Sequence, residues 1–404
     1  MKILFFSPYF YPYTSGLTTY PWKILNYLSK KHDITVLTFN HHKNVIPDLI
    51  RNPKNIDSGI RGNDKSRKLK IFYLPYLFKI SKGYISPQSF FYFLQEIKKT
   101  DILIVNQPSV EGLSLLILAK IFKKKTISLL HCFLSGGKNI FEKIIFKIAN
   151  FFVYFQLLLS NKIVAYTKDY LKNYFIFNFI KHKTYFHLPP ILKENEDKKY
   201  LSFLKKLTSK KIAIGYAGRI SSEKGLEHLI NSLTRYTPAL NRTGSGSELY
   251  VSRYTLLFAG PYGKNVTGEN SYFLKIKNLL DKKKIDYHFL GNLNLKKLFA
   301  FYKAIDILVL PSINSTEAFG MVQAEAMISG TPVIATNLPG VNIPITLTKM
   351  GKIIEPKNEK QLIKTIFEII NNRKKYTNPT LIKNAQKIFD IKEVYQFWEK
   401  IINE

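Results

Sequence analysis

Short runs of β-branched and aromatic residues alternate along the chain with longer amphipathic segments, a pattern that predicts βα units around parallel sheet. The pattern occurs twice. In the first half the predicted strands are Lys2–Phe6, Ile34–Phe39, Ile71–Leu74, Ile102–Asn106, Thr126–Leu130 and Ile163–Tyr166, with helices such as Leu17–Lys31 and Glu111–Phe122 between them. In the second half they are Ile212–Ala217, Leu256–Ala259, Tyr287–Leu290, Ile307–Leu310, Val333–Ala335 and Gly351–Ile354. Pro189-Pro190 stop regular structure and the charged run Lys193–Lys199 favours solvent, so a linker is expected there. The expected organisation is an α/β pair of doubly wound parallel-sheet domains, 1–190 and 210–385, joined by a linker at 191–209, with a C-terminal helix in 386–404 packing back toward the first domain. Two such domains would face each other across a cleft, and ligands of such sheets sit at the carboxyl ends of the strands.

Two segments break the rhythm. Val45–Arg67 (VIPDLIRNPKNIDSGIRGNDKSR) is full of Pro, Asn, Asp and Gly and is predicted to be a surface insertion. From Ile46-Pro47 to Asn63-Asp64 it resembles the translated reading of a bacterial palindromic repeat, which survives only where a chain can bulge outward. Asn241–Ser247 (NRTGSGS) is predicted as a second flexible loop. Met1–Phe6 begins like a secretory leader, but Pro8 and Pro12 end its apolar run after about four residues, short of the roughly seven that a leader core needs. The later stretch Ile148–Leu159 carries Asn150 and Gln156 and is well short of the ~20 residues that cross a bilayer. It is expected to lie on a membrane or to be a buried helix over the sheet.

Composition narrows the partners. With 404 residues, 46% of them hydrophobic and 22% charged, the chain has material for more than one core and is not disordered, collagen-like or a coiled coil. Its 61 Lys and Arg against 28 Asp and Glu leave a formal charge of +33, which calls for nucleic acid, an acidic membrane surface or a phosphorylated small molecule. A coding bias toward AT-rich codons gives the same surplus of Lys, Ile, Asn, Phe and Tyr without selection for binding. Cys132 is the only cysteine, so an intramolecular disulfide and a cysteine-built zinc site are excluded, and a reducing cytoplasm is the natural home.

Candidate chemistry sits in two stretches of the second half. Gly215–Leu226 (GYAGRISSEKGL) runs off a strand into a helix start, with Arg219 next to Gly218 and Lys224 five residues on. Two cations at such a turn suit a diphosphate, Arg219 as a fork and Lys224 as a point charge. Leu310–Pro332 (LPSINSTEAFGMVQAEAMISGTP) holds a polar loop and a helix expected to open near Phe319 and stop at Gly330. Glu317 precedes that helix and Glu325 lies inside it. Both point into one cleft only if a ligand spans the helix N-terminus, its phosphates on the amides of Gly320, Met321 and Val322 and its hydroxyls on a carboxylate at each end. That is the shape of a nucleotide joined to a sugar. Taken alone, Glu317 is an ordinary helix-start carboxylate.

The combination of Gly218-Arg219 with Glu223-Lys224-Gly225, the pair Glu317 and Glu325 around Phe319-Gly320, and Gly330 to Ala335 resembles the retaining glycosyltransferases of family 4, which have the GT-B fold of two Rossmann-like domains. The resemblance extends over nearly the whole chain, from Ser7-Pro8, Pro12 and Gly16-Leu17-Thr18 to Leu257–Pro261, Phe289–Gly291 and Ala304–Ile307. It implies that Arg219 and Lys224 hold the diphosphate, Glu325 binds the ribose and Glu317 faces the donor sugar. It implies also that the first domain binds the acceptor, the second the nucleotide sugar, and that His131, at the end of Thr126–Leu130, contacts the donor sugar or lies beside the reaction centre. A hydrogen-bonded core histidine is the other reading of His131. The family's first loop usually carries two glycines, whereas Ser15-Gly16 leaves close approach to a phosphate to Gly16.

The expected protein is a retaining, hexosyltransferase-class enzyme with no resident cofactor, the nucleotide-diphosphate sugar being a co-substrate. His131, Glu317, Arg219 and Lys224 surround the reaction; Gly16, Gly218, Phe319, Gly320, Met321, Val322 and Glu325 join those two cations in binding the donor. No Asp-x-Asp metal site follows a strand, and the two cations would neutralise the leaving diphosphate. No residue is placed as a covalent nucleophile, which favours front-face attack. Residues 1–190 hold 28 basic against 9 acidic side chains, so a lipid-linked or cell-envelope glycan acceptor is expected, with the protein cytoplasmic and peripheral on the inner face of the membrane. The segment Lys138–Lys183 alternates Lys with Phe, Tyr, Ile and Leu in the manner of an interfacial helix. The alternatives are a basic nucleic-acid-binding protein, for which no basic stripe interleaved with stacking aromatics is present, and a catalytically idle GT-B scaffold, against which the intact site residues count. Joining Asn44 directly to Lys68 is expected to leave melting temperature and transfer rate unchanged, since loop-closure cost changes by only about 0.6 kcal/mol per doubling of length. Collapse of either quantity would mean that Arg51, Arg61 or Arg67 has been recruited into the fold or the site.

Overall fold

The structure, a computed structural model, describes residues 1–10, 16–39, 68–80, 83–137, 139–209, 211–235, 253–266 and 269–404. The predicted insertion 45–67, the loop 241–247, Pro12 and Ser15 lie outside the described residues. The chain forms two compact units. Unit 1 comprises Met1–Pro190 and Ile391–Glu404; unit 2 comprises Ile191–Asp390.

Unit 1 runs β1 (Lys2–Phe6), α1 (Gly16–Leu28), β2 (Asp33–Phe39), β3 (Leu69–Leu74), the hairpin β4 (Phe78–Ile80) and β5 (Gly83–Ile85), and α2 (Ser89–Lys98). It continues with β6 (Ile102–Gln107), α3 (Gly112–Ile121), β7 (Lys125–Leu130), α4 (Ile140–Leu159), β8 (Lys162–Ala165), α5 (Lys168–Leu171), α6 (Phe177–Ile180) and β9 (Thr184–Phe186). Unit 2 runs α7 (Lys198–Leu207), β10 (Ile212–Ala217), α8 (Leu226–Arg235), β11 (Tyr254–Ala259), α9 (Asn270–Lys282), β12 (Asp286–Gly291), α10 (Leu295–Ala304) and β13 (Ile307–Leu310). After these come α11 (Met321–Ile328), β14 (Val333–Thr336), α12 (Ile343–Thr348), β15 (Gly351–Ile354), α13 (Glu359–Asn371), α14 (Arg373–Tyr376) and α15 (Pro379–Ile388), and the chain returns to unit 1 as α16 (Ile391–Asn403).

The sheet of unit 1 has the order β3-β2-β1-β6-β7-β8-β9, every neighbouring pair parallel. Strand β6 is buried along its whole length, which is why such strands read as unbroken apolar runs. From β1 the chain winds toward β3 and from β6 toward β9, so right-handed crossovers put α1 on one face and α3 and α4 on the other. On the α3 face, Leu4, Phe6, Leu37 and Leu103 pack with Phe93, Ile97 and Leu115. On the α1 face, Phe5, Ile104 and Leu129 meet Ile24 and Leu25 together with Trp398 of α16. The Trp398 indole donates to the Tyr20 hydroxyl at 2.8 Å, and Tyr27 stacks on Tyr395 with ring centres 3.8 Å apart.

Two expectations need correction, and three short strands went unpredicted. The stretch 191–209 is not a bare linker, because α7 forms in it with Asp197 capping the amide of Tyr200 and Leu204 fully buried. The return to unit 1 begins at Ile391 rather than 386, since Gln386 is still tied to the Ile328 carbonyl of unit 2 at 3.0 Å. The strands β4, β5 and β9 have three residues each, too few to show a period in sequence.

The sheet of unit 2 has the order β12-β11-β10-β13-β14-β15, again all parallel. Its winding reverses between β10 and β13, as that of unit 1 does between β1 and β6, and such switch points are where doubly wound sheets bind ligands. At the carboxyl edge the chain is packed backbone on backbone. Gly218 donates its amide to the Ala259 carbonyl and Gly260 to that of Gly291, both at 2.8 Å. A side chain at Gly260 would run into the Gly218 carbonyl, and its φ of +133° is one that other residues rarely adopt. Gly260→Ala is therefore expected to destabilise the chain by about 2 to 4 kcal/mol in chemical denaturation, far more than a surface substitution.

Candidate active site

The residues singled out in unit 2 converge on the β10/β13 switch point. After β10 the chain makes a short 3-10 turn over Ser222–Lys224 and then passes Gly225, whose φ is +62°. A side chain at 225 would meet Ile313 at 2.5 Å and the Pro311 carbonyl at 2.6 Å, and the Ile313 amide donates to the Glu223 carbonyl at 3.0 Å. The loop after β10 is thus laid directly on the loop after β13.

This packing brings Lys224 against Glu317 as an ion pair, the two side chains only 13% and 17% exposed. Arg219 is matched likewise. Its guanidinium donates to Glu223 at 3.1 Å, the Ser221 hydroxyl donates to the same carboxylate oxygen at 2.7 Å, and the Tyr216 hydroxyl fixes the Arg219 carbonyl at 2.7 Å. Burial works to raise the pKa of Glu223, but Arg219 and then Lys224 outweigh it and hold the carboxyl below its ordinary range. Two cations therefore stand against two carboxylates, and their formal charges cancel.

The two helix starts behave differently. At α8 the Leu226 amide is taken by the Tyr272 hydroxyl at 3.0 Å, and Tyr272 in turn donates to Glu227 of the first turn at 2.5 Å. The cations beside that turn are the Arg219 and Lys224 side chains. At α11 Gly320 is the cap, and Gln323 donates to the carbonyls of Phe319 and Val341 at 3.0 and 2.9 Å, fixing the entry of the chain. Met321 and Val322 are half-exposed there. Phe319 is buried with its ring edge-on to Phe389, so any ligand contact at Phe319 is through its backbone. Glu325 is 7% exposed and accepts from the Tyr302 hydroxyl at 2.8 Å. Burial raises the pKa of that hydroxyl, which keeps it a donor.

In the sequence Glu223 stands only as part of a motif, without a role, and Tyr302 is not singled out at all. An acidic residue between two cations was a readable signal for Glu223; Tyr302 stands 23 positions from Glu325 and has none in the sequence.

In unit 1, Gly16 opens α1. Asn106, at the end of β6, donates to the Leu17 carbonyl and to the Ser7 hydroxyl, both at 3.0 Å. Its carbonyl oxygen is then left to accept from His131 Nε2 at 2.6 Å, so His131 Nδ1 accepts from the Tyr166 hydroxyl. His131 is 3% exposed, both ring nitrogens are engaged, and burial pushes its pKa down to about 3. This is the geometry of the hydrogen-bonded core histidine, tying together the ends of β1, β6, β7 and β8, and it leaves no lone pair for a general base.

The family model for glycosyl transferases group 1 matches residues 197–388, nearly all of unit 2. The match places unit 2 beside the glycosyl transferases group 1. It is 28% identical over 204 residues to the capsular polysaccharide biosynthesis glycosyltransferase CapM of Staphylococcus aureus, covering 48% of this chain and 46% of that protein. To a D-inositol 3-phosphate glycosyltransferase of Corynebacterium glutamicum it is 32% identical over 142 residues, 35% of this chain and 31% of that protein. It spans less than half the length of these curated relatives. The crystal structure of Anabaena Alr3699/HepE with UDP and glucose superposes over 100% of both chains with a TM-score of 0.73 at 18% identity, a likeness of fold, and that fold is GT-B. Gly218, Arg219, Lys224, Glu317 and Phe319 to Glu325 fall inside the group 1 match, while Gly16 and His131 lie outside it.

Because His131 is held neutral outside the group 1 region, its resonance is expected to stay fixed between pH 5 and 8 in a histidine-observed NMR titration, identified by its loss in His131→Asn. A midpoint near the ordinary value of about 6.5 would contradict the burial seen here.

Proposed function

We propose that the chain is a glycosyltransferase that moves a hexose-type unit, with retention, from a nucleotide-diphosphate sugar to a lipid-linked or cell-envelope glycan acceptor. The observation that carries this reading is the meeting of Arg219, Lys224, Glu223 and Glu317 at the β10/β13 switch point, ahead of α11, inside a group 1 unit. In it the donor's diphosphate lies on Arg219, Lys224 and the first amides of α11, its ribose hydroxyls on Glu325 held by Tyr302. As the diphosphate takes Lys224, Glu317 is freed toward the sugar. The acceptor hydroxyl then attacks the anomeric carbon on the face from which the diphosphate leaves: the new C–O bond forms as the old one breaks, and the hydroxyl proton passes to the departing phosphate oxygen. The two cations stabilise the charge that develops on that leaving group, a task that needs no metal ion. Supporting the donor class, a protein of the same fold was solved with UDP and glucose. Supporting the acceptor class, CapM bears the name of capsular polysaccharide biosynthesis.

The test is a thermal-shift screen against nucleoside diphosphates and sugar nucleotides, because a bound ligand raises the melting temperature by mass action. Arg219→Ala and Lys224→Ala are each expected to weaken donor binding by about 1.5 to 3 kcal/mol. Glu325→Gln should lose affinity for the nucleoside diphosphate itself, whereas Glu317→Gln should retain it and lose transfer. Undiminished shifts in both cation variants would overturn the assignment.

A further inference from the structure

The outer side of α4 has an apolar stripe that nothing in the described residues covers. The inner side is pinned by polar anchors. Gln156, fully buried, donates to the Ser109 carbonyl at 2.5 Å and accepts from Gln107 at 2.8 Å; Asn150 both accepts from and donates to the Leu134 backbone, at 2.9 and 2.8 Å. With Phe146, Val153 and Leu157 buried beside them, the helix has no freedom to roll. Its opposite side therefore presents Ile144, Ile148, Phe151, Phe155 and Leu158 to solvent, 44 to 66% exposed and spaced three or four residues apart. The neighbouring elements extend the surface: Ile117 and Ile121 on α3, Phe179 on α6, and Phe175, which lies 5.1 Å from the α4 residue Tyr154 and is 65% exposed. Single exposed apolar side chains need no explanation, but a stripe along a whole helix with continuations on both sides does.

The charge of the sequence that carries the stripe bears on what covers it. From Gly112 to Lys183 the sequence has twelve lysines and two acidic residues, Glu142 and Asp169. Lys143 and Lys147 are exposed and sit along one flank of the stripe. No helix among the described residues is long and apolar enough to cross a membrane. A second copy of the chain would bring the same lysine surplus against itself and be repelled. We infer that this face seats unit 1 on an anionic phospholipid surface. Helix α4 lies in the plane of the interface, its stripe at the boundary of headgroups and acyl chains and its lysines on the lipid phosphates. The inference stands on unit 1 alone and does not depend on the donor chemistry assigned to unit 2.

The full chain is to be floated with phosphatidylcholine vesicles, with and without phosphatidylglycerol. The parent is expected to float with the anionic vesicles about tenfold better than with the neutral ones. The triple variant Ile148→Glu, Phe151→Glu, Phe155→Glu should lose that binding by about tenfold or more, with melting temperature and far-ultraviolet dichroism unchanged because these side chains contact little protein. Lys143→Gln with Lys147→Gln should weaken binding to the anionic vesicles only. In Phe151→Trp, read against the native Trp22 and Trp398, emission should shift to the blue on vesicles and be quenched by brominated acyl chains. Flotation of the triple variant equal to that of the parent, or an unquenched tryptophan at 151, overturns the proposal. So does a parent dimer in solution that the triple variant dissociates, which would make the stripe a contact between copies.

Discussion

Buried cations need counter-charges, and the switch point of unit 2 is built around that requirement. Lys224 and Glu317 are both largely withdrawn from water, where removing one partner of an ion pair costs roughly 3 to 5 kcal/mol. Arg219 and Glu223 repeat the arrangement within one turn. The carboxylates come from both loops, which is why those loops touch so closely that position 225 has no room for a side chain. Under the proposed function, the donor diphosphate meets an electrostatically complete site and binds by offering Lys224 a better partner than Glu317.

The two units share a topology and use it for opposite chemistry. At the β1/β6 switch point of unit 1 the strand ends are joined by a neutral chain of hydrogen bonds, Ser7 to Asn106 to His131 to Tyr166. At the β10/β13 switch point of unit 2 the same positions in the fold hold ions. A neutral network of that kind rigidifies, since every donor and acceptor has a fixed partner and charging the histidine would forfeit one. Under the proposed function the ionic cluster exchanges partners, a phosphate replacing the carboxylates beside Arg219 and Lys224.

Most strands were legible because both sheets are parallel and buried, so their residues form apolar runs whose ends fall within two residues of those predicted. The turn at Gly218 to Gly225 and the loop at Glu317 were legible for a different reason, as the scarce arginine and the spaced carboxylates stand out against a lysine-rich background. What the sequence could not display is pairing at a distance. Lys224 meets Glu317 across 93 positions, and the role of His131 is set by Asn106 and Tyr166, 25 and 35 positions away. Helix α7 was hidden by its charge, since one fully buried leucine is enough to seat a surface helix. The reading of α4 was split between burial and exposure because both are true of it, on opposite sides.

Helix α16 belongs to unit 1 although all of unit 2 separates it from the rest of that unit. The consequence falls on synthesis. A nascent chain that has emerged as far as Asp390 carries every residue of unit 2, yet its first sheet still lacks Trp398 over Phe5 and Ile104, and Tyr20 and Tyr27 still lack the partners that cover them. Folding of the two units is therefore out of step with their order in the gene, the later-starting unit being able to close first. A chain that stops before α16 lacks the aromatic side chain that covers this face of the first sheet. The thirteen-residue helix that follows unit 2 in the chain therefore completes the core begun by the first 190 residues.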